Sequence, residues 1–125
     1  KAAKELNLRL IPTGYAVQKA RKTQGERERP LPDGKYPQHI EFADDFVGAA
    51  SFVQDNKGDV KIHADTIHLN TRGKYLQACL WFAFMFDTPA AEIKFKPATL
   101  SDEDAAFIRK TVDDTLKEFK QPRDI

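Results

Sequence analysis

The chain is 125 residues long, with 20 basic and 19 acidic side chains and a net charge of +1. That length suits one hydrophobic core, since single domains commonly run to roughly 100–150 residues. Interspersed, nearly balanced charge gives no electrostatic case for nucleic acid or an anionic membrane surface, and the longest apolar run, residues 78–86, falls short of the ~18 residues that a membrane span needs.

Residues 1–6 have the composition of the last turns of a helix. The run Leu8-Arg9-Leu10-Ile11 reads as a short strand stopped by Pro12, and its largely apolar character suits the interior of a parallel sheet. Thr13 is placed to cap a helix over 15–22 that turns Tyr15, Ala16 and Ala20 inward. Strand, turn and helix in that order form the repeating unit of an α/β layered fold. Charge, proline and glycine crowd residues 23–37, and the whole stretch 23–64 reads as an irregular excursion with a small hairpin. In the hairpin, residues 51–54 and 59–62 flank the turn composition Asp55-Asn56-Lys57-Gly58. Neither flank of the excursion is large enough to fold alone, so 1–125 reads as a single domain or the C-terminal part of one. The only methionine is Met85, so Lys1 is not an ordinary translation start and residues upstream of it are expected.

Asp65 and His68 stand three residues apart in a polar turn just before a long apolar run. At that spacing a carboxylate can hold one imidazole nitrogen while the other faces a cleft, which is the base half of a Ser-His-Asp triad. The same residues admit two lower-ranked readings. His63, Asp65 and His68 have the ligand types of a divalent-metal site, with His39 or Asp59 to complete it. Alternatively, Asp65 caps a turn and His68 bonds backbone in a non-catalytic binding or accessory domain.

Asn70 is placed to cap the next helix, and Gly73 in its first turn suggests close approach of another backbone. From Tyr75 onward the helix is apolar on nearly all sides, which predicts burial of Leu80, Trp81, Phe82, Phe84, Met85 and Phe86; Cys79, the single cysteine, reads as a small core residue. Arg72 and Lys74 read as solvated helix residues. Pro89 ends this helix, and residues 93–97 alternate like an edge segment. Ser101 and Asp104 open a last helix whose Ala105, Ile108, Val112, Leu116 and Phe119 form one docking face.

With Asp65-Thr66-Ile67-His68 followed by Leu69-Asn70-Thr71-Arg72-Gly73-Lys74-Tyr75-Leu76-Gln77-Ala78, the chain resembles the C-terminal end of the SGNH, or GDSL-type, hydrolases. Residues 8–21 are similar to the strand and helix that precede this turn in bacterial members. The resemblance spans residues 1–119 and implies a three-layer α/β/α, flavodoxin-like fold, present here as its C-terminal part. It further implies ester hydrolysis, with His68 as general base and Asp65 as its orienter. The family's Gly-Asp-Ser nucleophile turn has no counterpart: Gly58-Asp59 is followed by Val60, while Ser51 and Ser101 fall in a strand and at a helix cap. The expectation is a parent serine esterase whose nucleophile and oxyanion-hole donors lie outside this chain, the chain alone being inactive. Its partners would be the missing N-terminal half of the fold and a small or carbohydrate acetyl ester, without cofactor or metal. An exported or periplasmic location follows from the resemblance alone.

Overall fold

The computed structural model describes residues 1–119. Its helices are α1 (Ala2–Glu5), α2 (Thr13–Thr23), α3 (Thr71–Phe86) and α4 (Asp102–Glu118), and its strands are β1 (Gln38–Glu41), β2 (Val47–Gln54) and β3 (Val60–Leu69). The chain is therefore mixed α/β, and the strands form an antiparallel meander in the order β1-β2-β3. None of the described helices is long and apolar enough to cross a membrane.

The core is helical. Ala16, Val17 and Ala20 of α2, Leu76, Cys79 and Leu80 of α3, and Ala105, Ile108 and Val112 of α4 close on one another. Phe46, from the β1–β2 connection, fills the centre with no exposed surface. Full burial of such a side chain stabilises by roughly 1.5–3 kcal/mol, so this connection is fastened to the helices by its apolar content.

Local chemistry sets the element ends. The Asp55 carboxylate accepts from the Lys57 and Asp59 amides at 2.8 and 3.0 Å and Gly58 takes a φ of 87°, which together form the tight β2–β3 turn. Asn70 Oδ1 accepts from the Gly73 amide at the start of α3, and Ser101 Oγ accepts from the Asp104 amide at the start of α4. The two caps and the hairpin fall where the sequence puts them.

Several expectations change. Residues 8–11 form no strand, and Leu8 and Leu10 are 59% and 50% exposed. A parallel strand exists only with neighbours to bond, and every strand pair among the described residues is antiparallel. Residues 93–97 are likewise not a strand; the segment is held instead by the Tyr75 hydroxyl, which donates to the Phe95 carbonyl at 2.8 Å. Thr13 does not cap α2: it is the first helical residue, with Pro12 in the cap position, and its hydroxyl accepts from the Trp81 indole at 3.1 Å. Nor is α3 buried all round: Trp81, Phe82, Met85 and Phe86 are 40–65% exposed, since α2 and α4 cover only one side of it.

Arg72 reverses its expected role most fully. It is buried, stacks at 4.1 Å over the Phe46 ring, and grips both oxygens of the equally buried Asp104 at 2.8 Å. Its remaining nitrogen donates to the Gln24 side chain and to the Ala43 and Asp45 carbonyls, so every nitrogen of the guanidinium has a partner.

Candidate active site

Asp65 and His68 lie near the end of β3, where the ladder breaks. Ala49 pairs with Asp65 and Val47 pairs with Leu69, so Thr66, Ile67 and His68 stand opposite Gly48 alone. This is an enlarged bulge, and it keeps the polar turn inside the strand. Gly48 permits it: its φ is 97°, and a Cβ there would lie 2.7 Å from the Asp65 carbonyl oxygen.

Within the bulge, Asp65 Oδ1 accepts from the Ile67 amide at 3.0 Å and from the His68 amide at 3.1 Å. Asp65 Oδ2 meets His68 Nδ1 at 2.8 Å. The Ile67 amide, the His68 amide and then the His68 ring favour the charged carboxylate and hold its pKa down at about 2. His68 has 78% of its side chain exposed, which leaves Nε2 accessible. Chemically, the arrangement is an oriented imidazole whose free nitrogen can exchange a proton with a group brought to it.

The other named residues fall elsewhere. Ser51 Oγ shares a hydrogen bond with His39 Nδ1 at 3.2 Å, and Ser101 is committed to its cap. His63 stands in β3 opposite Ser51, and among the described residues no three His, Cys, Asp or Glu side chains form a group able to hold a metal ion. Asp59 closes the hairpin turn through its amide and carbonyl.

Sequence reasoning missed Glu41 on β1. Its carboxylate accepts from the Thr71 amide at 3.0 Å and from the Thr71 hydroxyl at 2.9 Å, at the first turn of α3. The partners are far apart in the chain, so no local spacing announces them. Also unannounced is an apolar groove of about 800 Å³ between α3 and the segment before α4, lined by Tyr75, Cys79, Phe82, Ile93 and Phe95 and reaching Thr71 and Lys74 at the start of α3.

Comparison with known proteins returns no matching family model, no matching curated protein and no matching solved structure.

Proposed function

We propose that this chain is the C-terminal part of a serine ester hydrolase of the SGNH type, with His68 as general base, Asp65 as its orienter and the serine supplied by sequence outside the chain. The observation that carries this reading is the 2.8 Å contact between Asp65 Oδ2 and His68 Nδ1 beside an exposed ring. Asp65 fixes the tautomer and stabilises the imidazolium; His68 takes the serine proton and returns it to the leaving alcohol. A three-layer α/β/α architecture for the parent would give the exposed apolar side chains of α3, Trp81, Met85 and Phe86, a further layer to pack against. Carbohydrate acetyl ester is the substrate class suggested by resemblance.

The coding frame upstream of Lys1 tests the reading. An upstream strand ending in Gly-Asp-Ser, with a later glycine and asparagine, is the expected finding. A frame that begins near Lys1, or that adds only a signal peptide, would replace the hydrolase with a binding or accessory domain.

A further inference from the structure

Glu41, Ala49 and Asp65 occupy one line across the sheet, since Glu41 pairs with Ala49 and Ala49 pairs with Asp65. Through its side chain, Glu41 also grasps the amide and hydroxyl of Thr71, three positions beyond His68. The segment that presents His68 is thus held at both ends by one strand line: Asp65 through the ladder, and Thr71 through the Glu41 carboxylate.

Two neighbouring contacts make this brace tight. Asn70 donates to the Phe42 carbonyl at 3.0 Å and to the Asp45 carbonyl at 3.2 Å, tying the helix cap to the same β1–β2 connection. Gly73 lies so close to that connection that a Cβ on it would sit 2.1 Å from the Phe46 carbonyl oxygen. A carboxylate at a helix N-terminus is also favoured by the helix dipole, and its hydrogen bonds are of the stronger, charge-assisted kind.

We propose that Glu41 is a positioning residue for the Asp65–His68 pair: its carboxylate fixes the start of α3 relative to the strand line that carries Asp65, and so sets the orientation of the His68 ring. The proposal rests on reading His68 as a base. It assigns the excursion before β2 a part in building the site, because its strand β1 supplies the brace. Loss of the carboxylate frees Thr71 and loosens the far end of the bulge, so that the His68 ring is held by the Asp65 turn alone.

Nitrogen NMR of the full chain, labelled at histidine, tests this directly. The wild-type neutral His68 ring should show the Nδ1-protonated tautomer in clear majority. Glu41→Ala should mix the tautomers and raise Thr71 amide exchange by about tenfold, the scale of one lost hydrogen bond. Glu41→Gln, which keeps an acceptor oxygen and the side-chain shape, should restore part of the preference and carries the test if the alanine variant fails to fold. Lys110→Ala, which removes an exposed ion pair further along α4, should leave the His68 tautomer unchanged. An unaltered tautomer in both Glu41 variants, or an equal disturbance from Lys110→Ala, overturns the positioning claim and leaves the functional reading intact. A tautomer mixture in the wild type overturns both. Full activity of a parent enzyme carrying His68→Ala would instead remove the functional reading, and with it the catalytic meaning of the Glu41 brace, while the tautomer comparison would still stand as a structural result.

Discussion

An ionised carboxylate only accepts hydrogen bonds, so the proton in the Asp65–His68 contact belongs to His68 Nδ1 and the neutral ring keeps its lone pair at Nε2. The direction of the Asp65 shift fixes its pH dependence. Its folded value of about 2 lies below the ordinary 3.8, so ionisation favours the folded turn. That contribution is complete above about pH 4 and is lost as pH falls through about 2. A carbon NMR titration of the Asp65 carboxyl should give a midpoint near 2; a midpoint at the ordinary value would mean that the turn's three hydrogen bonds do not form in solution. At this scale the sequence was informative, because Asp65 and His68 find each other within one local turn.

Between elements, the buried pair of Arg72 and Asp104 joins α3 to α4, and Arg27 adds a third member at 3.0 Å from Asp104. Removing one partner strands a charge away from water. Asp104→Ala should therefore lower stability by about 3–5 kcal/mol in urea unfolding, against about 1 kcal/mol or less for an exposed pair. A loss in the lower range would contradict the burial of this pair. Sequence spacing reads Asp104 as a capping-box residue and Arg72 as a wetted one, since nothing within either helix indicates that the two cross at their first turns. The caps at Asn70 and Ser101 and the Asp55–Gly58 turn were legible for the opposite reason: each is closed by atoms only a few residues apart. Glu41 belongs with Arg72, a polar group whose partner is supplied by tertiary structure.

Across the whole molecule, the helical core is covered on one side and open on the other. The apolar run in α3 signalled burial but not which neighbour supplies it, so Trp81, Met85 and Phe86 are exposed where the sequence placed core. Residues 8–11 missed their strand for a related reason, because strand character is realised only against a pairing edge. With Leu8, Trp81, Met85 and Phe86 exposed, this 125-residue chain should self-associate as its concentration rises; on the proposed reading, sedimentation should show it monomeric when joined to the N-terminal part that the reading requires. Association unchanged by such a part would contradict the proposal of a further layer over the exposed face of α3. The central claim concerns His68 itself, and its most direct measurement is turnover of a small chromogenic ester by the intact parent protein. His68→Ala should cut turnover by about a thousandfold or more while the fold is kept, and Asp65→Asn should cost no more than that. Turnover unchanged in the His68 variant would contradict the assignment of this histidine as the base.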